Sequence, residues 1–538
     1  MRPHLSKMPS VPRWPGWSRV VPLLAISVLL LLSAVLQRGN DGLWYQGDSP
    51  RHFMNGVFWG DFARQFDPLG AREFALEYYK SYPAIAPTIW PPFVYFVEAL
   101  AFAVTGPSVA VAQGIILAFA LMGGIYLVLL LELWNVRPSA RWVVVWAVAQ
   151  PVYLLWTHAV MMEIPALALG IASCFHLHRS QDEPGHRHIA LAAFFFWACT
   201  LTRLVGILVP AAYWLALAST GSCRRLLRPQ HLVTWAVACL ALVPWLAINM
   251  KYGSIMVKEA ALLGEHSRGS LANWIYYPRA MGRSFSWPFL AATAAACWVA
   301  ARSSANQRAA RVALLGTAAV LVALSLVSLK ETRYVIGVFP FLAIALGVGV
   351  DSAIAALRAH RAAGVGVAVA SSVLGLVMVA TLEVPRITQM EAAVDALLRS
   401  LPTDRVLYDG YYDGVFVSYV RTHAREVGVV RGSKVFYATA LQARFGLVEN
   451  ATDGESLVAI VGDVGCRWLV LEREEVTGIA AARLVRAVIP DHPRFRWVAS
   501  YPLSTHRLPE VTALDVFEYR GELGDELGKW LSFPSMEP

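Results

Sequence analysis

Over its first 383 residues the chain alternates long apolar runs with short polar breaks, and then the pattern changes. Twelve apolar segments stand out: 20–36, 90–104, 109–133, 142–157, 164–178, 189–201, 204–219, 231–249, 286–301, 312–328, 334–350 and 363–382. A helix that crosses a bilayer needs about 20 predominantly apolar residues. Segment 90–104 is short and opens Trp90-Pro91-Pro92. Beyond 384, β-type runs appear at Arg405–Tyr408, Val415–Val420, Leu457–Val461, Arg467–Leu471, Phe495–Tyr501 and Leu514–Tyr519. Helical stretches near 387–400 and 474–489 interleave with them. This pattern predicts a compact α/β domain over 384–538, of ordinary domain size. No repeat of fixed period and no low-complexity segment is visible.

The polar breaks decide how many segments cross. Loops on the cytoplasmic side of a membrane carry an excess of Lys and Arg. If all twelve segments cross, Arg137/Arg141, Arg179/Arg187 and Arg224/Arg225/Arg228 lie outside, against that bias. If 90–104 is a juxtamembrane or re-entrant helix, every basic loop falls inside: the N-terminus, 134–141, 179–188, 220–230, 302–311 and 351–362. The second assignment is self-consistent. It predicts a polytopic α-helical membrane protein with about eleven transmembrane helices plus juxtamembrane helices over 1–383. The N-terminus is cytoplasmic, 37–108 forms the first extracytoplasmic loop, and the C-terminal α/β domain is extracytoplasmic.

Composition agrees. Hydrophobic residues make up 57% and charged residues 15% of the 538, against about 25% charged in soluble proteins. The net charge of +9 divides unevenly: residues 384–538 hold 17 Lys+Arg against 21 Asp+Glu, and the rest hold 29 against 16. The basic excess belongs to the membrane part, where orientation explains it without a nucleic-acid partner. The six cysteines form no CxxC pair, so neither a disulfide framework nor a cysteine zinc site is expected. The basic start and the apolar run to about 36 have the outline of a signal peptide, but no small-residue cleavage site follows Leu36. That run is read as the first transmembrane helix.

Five isolated charged residues fall in the other set of breaks: Asp48, Glu163, Arg203, Lys330 and Arg333. Acids and bases gathered on one membrane face point to an enzyme or transporter rather than an anchor. Asp48 precedes Ser49-Pro50, a helix start with Ser as N-cap and Pro at the first helical position. The helix that follows carries Phe53, Val57, Phe58, Phe62 and Phe66 on one side, and Arg51, His52, Asn55, Asp61 and Arg64 on much of the rest. That fits a helix lying in the membrane interface. Its dipole favours an ionised carboxylate at Asp48, able to take a proton from a hydroxyl. The plain alternative is a loop Asp beside a cap. Tyr78, Tyr79, Tyr82 and Trp90 are membrane anchors or a stacking wall for a sugar. Glu163 is a helix-start acid before Pro165, or a second active-site acid that orients an acceptor or holds a divalent cation. Arg203 is a snorkelling turn residue or a phosphate ligand. Lys330 and Arg333, with Tyr334 beside them, stand at the outer end of a span, where a bound anion would explain them. The 250–285 loop holds Lys251, Lys258, Glu265, His266, Arg268, Arg279 and Arg283; His266 beside Glu265 is a weak metal-site signal.

Together these residues resemble a known group, the polytopic C-type glycosyltransferases that use polyprenyl-phosphate sugars, in the branch holding bacterial aminoarabinose transferase and protein O-mannosyltransferases. Four points match in order: Asp48 after the first span; Trp90-Pro91-Pro92 with Gly106-Pro107-Ser108; Met162-Glu163-Ile164-Pro165; and Lys330 to Tyr334 followed by Pro340. The match covers about 350 residues. The resemblance implies that Asp48 is the base for the acceptor hydroxyl, giving inversion at the anomeric carbon. It implies Glu163 as a second acid, with Lys330 and Arg333 holding the donor phosphate. It also implies a lipid, glycan or protein acceptor and a place in the inner (plasma) membrane. Where the family often has Asp-Glu this chain has Asp48-Ser49, and where it often has Lys before the Pro pair this chain has Trp90. Phosphate binding then rests on Arg203, Lys330 or Arg333, with Tyr82, Trp90 and Tyr334 lining the substrate. Two rivals are a flippase of lipid-linked sugars, which requires polar residues at mid-membrane depth, and a non-catalytic scaffold.

Overall fold

The computed structural model describes residues 17–39, 42–45, 47–183, 185–252, 267–327, 329–357, 360–401, 403–439 and 447–530. Lys258, Glu265 and His266 lie outside the described residues.

The protein is a polytopic helical membrane protein with a C-terminal α/β domain. Among the described residues seven helical stretches are long and apolar enough to cross a bilayer: Arg19–Leu36, Val109–Leu133, Leu204–Ser222, Pro229–Lys251, Gln307–Ser325, Thr332–Ala356 and His360–Thr381. An eighth is a broken pair, Leu271–Ser284 and Trp287–Arg302, bent by 113°, where Pro288 opens the second helix. Three segments counted from the sequence have other shapes. Residues 142–157 divide into Val143–Val148 and Pro151–Thr157, since Pro151 disfavours a helical Gln150. Glu163–Asp182 ends in a polar turn, and Arg187–Thr200 has only 14 residues.

Four helices frame the site: α1 (Trp17–Leu36), α2 (Ser49–Gln65), α3 (Ala71–Ser81) and α4 (Phe93–Thr105). The 13 residues of α4 reach about 20 Å, short of the roughly 30 Å hydrocarbon core. It packs along α2 instead, with Phe53 and Phe102 edge to face. The stretch Thr332–Ala356 is the central element, 89% buried over its most apolar window. Small residues let helices approach closely: a Cβ on Gly349 would lie 2.2 Å from the Ala296 carbonyl oxygen.

The interfacial reading of α2 needs correction. His52, Asn55 and Asp61 are buried, because α4, the segment after α3 and the C-terminal domain cover the polar side as well. His52 Nδ1 lies 2.6 Å from the Tyr95 hydroxyl. Asn55 Oδ1 accepts from the Ala86 N–H at 2.9 Å. Asp61 pairs with Arg421 of the C-terminal domain and accepts from the Tyr78 hydroxyl at 3.1 Å.

Among the described residues the C-terminal domain has nine strands: β1 (Ile387–Thr388), β2 (Arg405–Asp409), β3 (Gly428–Arg431), β4 (Tyr437–Thr439), β5 (Leu447–Glu449), β6 (Trp468–Glu472), β7 (Phe495–Pro502), β8 (Ser504–Thr505) and β9 (Ala513–Tyr519). The main sheet runs β3-β2-β6-β9-β7. The strands β3, β2 and β6 are parallel, with β9 antiparallel to both neighbours. Two runs expected as strands are helices, Asp413–His423 over Val415–Val420 and Gly454–Val464 over Leu457–Val461. A short apolar run buried on all sides has no period to separate the two states. Local signals decide: Asp453 and Ser456 form a capping box, and Gly465 closes the same helix in the left-handed region.

Candidate active site

Three chain turns on one side of the bundle bring the site together. The first follows α1: Asp48 and Ser49 donate their N–H groups to the Tyr45 carbonyl at 3.3 and 2.9 Å. Asp48, rather than Ser49, occupies the N-cap of α2, and its side chain makes no cap hydrogen bond. The expected Ser49 cap is therefore corrected, since this turn places Ser49 inside the helix. The second is the start of Glu163–Asp182, with Glu163 in its first turn. There the helix dipole favours a carboxylate. The third is the short helix Thr332–Val338, which carries Arg333. Arg203, in extended backbone ahead of Leu204–Ile207, completes the set.

The charges interlock. Arg333 Nη1 donates to Asp48 Oδ2 at 2.7 Å. Arg333 Nε stands 3.3 Å from Glu163 Oε1 and 3.7 Å from Glu331 Oε2. Arg203 Nη1 stands 2.8 Å from the same Glu163 Oε1. Both contacts to Glu163 are close in distance but not aligned as hydrogen bonds. Both Glu163 oxygens, Arg203 Nη1 and Arg333 Nε are buried without a hydrogen-bond partner among the described residues. Buried polar groups left in this condition are uncommon and call for an explanation. Aromatic faces flank the cations: Arg333 Cζ is 4.9 Å from the Tyr45 ring and Arg203 Cζ 5.1 Å from the Tyr334 ring.

Burial by itself raises the Asp48 carboxyl, but the Arg333 guanidinium, helped by Arg203, outweighs it and holds the group below the ordinary carboxylate value. Burial pushes His52 down to about 3, so its imidazole is neutral, and pushes the Tyr45 hydroxyl up to about 12. The same cause raises Glu331. A narrow cleft of about 30 Å³ opens beside these groups. Glu163, Arg203, Arg333 and Tyr334 line one end, and Leu167, Val209, Val320 and Ile336 are among its apolar walls.

The structure thus brings Asp48, Glu163, Arg203, Arg333 and Tyr334 together. The Lys330 ammonium is not among them: it folds back on the preceding helix, donating to the carbonyls of Leu324, Ser325 and Val327 at 3.0, 3.3 and 2.6 Å. Trp90 packs against the His52 ring, centroids 4.6 Å apart. Tyr82 is in the domain interface, its hydroxyl on the Arg425 carbonyl and its ring 5.3 Å from Arg421 Cζ. Sequence reasoning missed Tyr45, Glu331 and the His52–Tyr95 pair. Tyr45 sits one turn before Asp48, which was the available signal. Among the described residues no group of three or more His, Cys, Asp or Glu side chains is placed to hold a metal ion, and each acid here already faces an arginine.

The fold is that of ArnT. With ArnT from Cupriavidus metallidurans in the apo state the TM-score is 0.63 at 15% identity, over 93% of this chain and 98% of ArnT. With the same ArnT bound to undecaprenyl phosphate it is 0.60 at 16% identity, over 92% and 97%. The archaeal oligosaccharyltransferase AglB from Archaeoglobus fulgidus, in complex with an inhibitory peptide and a dolichol-phosphate, gives 0.50 at 10% identity over 86% of this chain and 70% of AglB. No protein-family model and no curated protein matches the chain. The likeness to ArnT spans both the membrane helices and the C-terminal domain.

Proposed function

We propose that the protein is an integral membrane glycosyltransferase that moves one sugar from a polyprenyl-phosphate donor to an acceptor hydroxyl on the extracytoplasmic face. One observation carries the reading. Two buried arginines with unaligned N–H groups stand at the polar end of a cleft whose other walls are apolar, beside a carboxylate kept ionised. That combination suits a lipid with a phosphate head and a nucleophile that must lose a proton. The ArnT fold, solved in one case with undecaprenyl phosphate, supports it.

In this reading Asp48 takes the proton from the acceptor hydroxyl as its oxygen attacks the anomeric carbon. The bond from that carbon to the phosphate oxygen breaks, and the configuration inverts. The polyprenyl phosphate leaves carrying the added negative charge, stabilised by Arg203 and Arg333. Lys330 reaches the same phosphate once released from the helix end it caps. Glu163 orients the two arginines, and Tyr334 and Trp90 line the way to the acceptor, while Tyr82 stays buried in the domain interface. Residues 37–108 form an extracytoplasmic loop, and 384–538 form a domain on the same side of an inner (plasma) membrane, with the N-terminus cytoplasmic. The acceptor is a lipid, glycan or protein.

The test is release of polyprenyl phosphate by protein in nanodiscs given a panel of polyprenyl-phosphate sugars and cell-envelope extract. Asp48→Asn is expected to lower release by about 10²–10⁴-fold in a protein that still folds, its thermal unfolding temperature lowered only by the loss of the ion pair to Arg333. Equal release by both proteins removes Asp48 as the base. No release with any donor removes the glycosyltransferase reading.

A further inference from the structure

The C-terminal domain reaches the Tyr45 ring through a loop that is firmly held. The ladder of β1 and β8 pairs Ile387 with Thr505 and Thr388 with Ser504. Past it, the His506 N–H donates to the Arg386 carbonyl at 3.0 Å and the Thr505 hydroxyl to the Leu508 carbonyl at 2.6 Å. Arg386 Nη2 in turn donates to Gln37 Oε1 at 3.0 Å, and Gln37 Nε2 to the Leu382 carbonyl at 3.0 Å. The loop is therefore tied to the segments that follow both α1 and the last membrane helix.

At its tip stands Arg507. Its Cζ lies 5.3 Å from the Tyr45 ring, the ring that Arg333 faces at 4.9 Å. Arg507 is exposed. The other cations of the site are each engaged: Arg333 by Asp48, Glu163 and Glu331, Arg203 by Glu163, and Lys330 by three carbonyls. Among the described residues Arg507 faces no carboxylate within ion-pair distance. The reaction proposed above needs cationic charge at the moment the phosphate leaves, and the guanidinium groups already matched by carboxylates supply less of it.

We propose that Arg507, supplied by the C-terminal domain, is a ligand of the phosphate of a lipid-linked substrate at the mouth of this site. The inference rests on the reading under Proposed function. A guanidinium offers five N–H donors in a planar fork that matches phosphate oxygens, and it stacks on an aromatic face without losing them. Tyr45 then keeps Arg507 beside Arg333 while leaving its edge free to donate. The domain is more than a lid: the phosphate site is complete only when it is docked.

The test titrates undecaprenyl phosphate into wild type, Arg507→Ala and Arg507→Lys, each the full chain in nanodiscs, at low and high salt. Arg507→Ala is expected to weaken binding about tenfold at low salt, the loss of one charge-assisted hydrogen bond, and Arg507→Lys less. The gap is expected to close at high salt, where exposed charges are screened; a merely structural arginine would show no such closure. Inorganic phosphate separates the sources. Competition that disappears in Arg507→Ala assigns recognition to the headgroup alone, and failure to compete assigns it to the phosphate on its lipid. Equal affinity of wild type and Arg507→Ala, with equal thermal unfolding, overturns the proposal. If Arg507→Ala unfolds, Arg507→Gln and Arg507→Lys carry the same comparison. A wild type that binds no undecaprenyl phosphate overturns the functional reading itself, a different result.

Discussion

Asp48 occupies a helix N-cap and does not use it. Its carboxylate is turned to Arg333, so a group that would ordinarily satisfy backbone N–H groups is kept for a partner 285 positions away. The pH dependence follows. Its folded pKa lies below the unfolded one, so the ionised form persists to lower pH than in an ordinary Asp. The acid limb of kcat/KM is expected below the usual carboxylate range. A profile that loses activity near neutral pH would count against Asp48 as the base. The same pairing contributes stability above the unfolded pKa, which is lost as pH falls through the folded value. Arg333 carries the larger structural share, since three acids face it. Arg333→Ala is expected to cost about 3 kcal/mol, the order seen when one partner of a buried pair is removed, read as a fall in thermal unfolding temperature in detergent. Arg333→Lys should recover part of that stability but less of the activity, because an ammonium cannot serve Asp48 and Glu163 with a fork.

At the scale of elements, glycine decides how closely the central helix can pack. A Cβ at Gly349 would lie 2.2–2.4 Å from the backbone of Ala296, which cannot swing aside, whereas Gly366 in the last membrane helix has nothing within 4 Å. Gly349→Ala is expected to destabilise the bundle by about 1–3 kcal/mol, and Gly366→Ala to leave it unchanged or slightly firmer. Thermal unfolding of the two variants side by side checks the pair. The membrane helices were legible in the sequence because an apolar run of sufficient length has one common fate in a bilayer. The convergence of Asp48, Glu163, Arg203 and Arg333 was legible from sidedness, which depends on counting loops rather than on contacts. What was not legible depends on tertiary cover. The polar side of α2 looked solvated because no local signal tells that α4 and Arg421 will bury it. Lys330 pointed to a phosphate by position, while its reach back to three carbonyls depends on how the preceding helix ends. The runs 415–420 and 457–461 are apolar throughout, so only flanking residues such as Asp453 separate helix from strand.

The molecule as a whole is held together by buried polar links between its two parts. Arg421 and Asp61 are each about 4% exposed in their side chains and face one another across the interface. Arg431 Nη1 donates to the Pro83 carbonyl at 2.9 Å, and Gly414 lies against Pro50, two residues from Asp48. Arg421→Ala leaves Asp61 with the more exposed Arg64 and Arg425. It is expected to loosen the docked domain, seen as faster proteolysis between 382 and 390 with the membrane helices intact. Asp61→Asn should give a smaller effect in the same direction.

The ties from Gln37 to Leu382 and Arg386 make neighbours of the ends of the first described membrane helix and the last. A ribosome delivers them far apart in time. At about 5–20 residues per second, Arg333 follows Asp48 by roughly 15–60 s. Throughout that interval the nascent chain holds Asp48 at the membrane edge with its principal counter-charge still unmade. The bundle cannot close until the helix ending at Thr381 arrives, so its assembly is governed by its latest contacts. Truncated or stalled chains should therefore present open, acid-bearing helices to the quality-control machinery of the membrane rather than a smaller version of the finished protein.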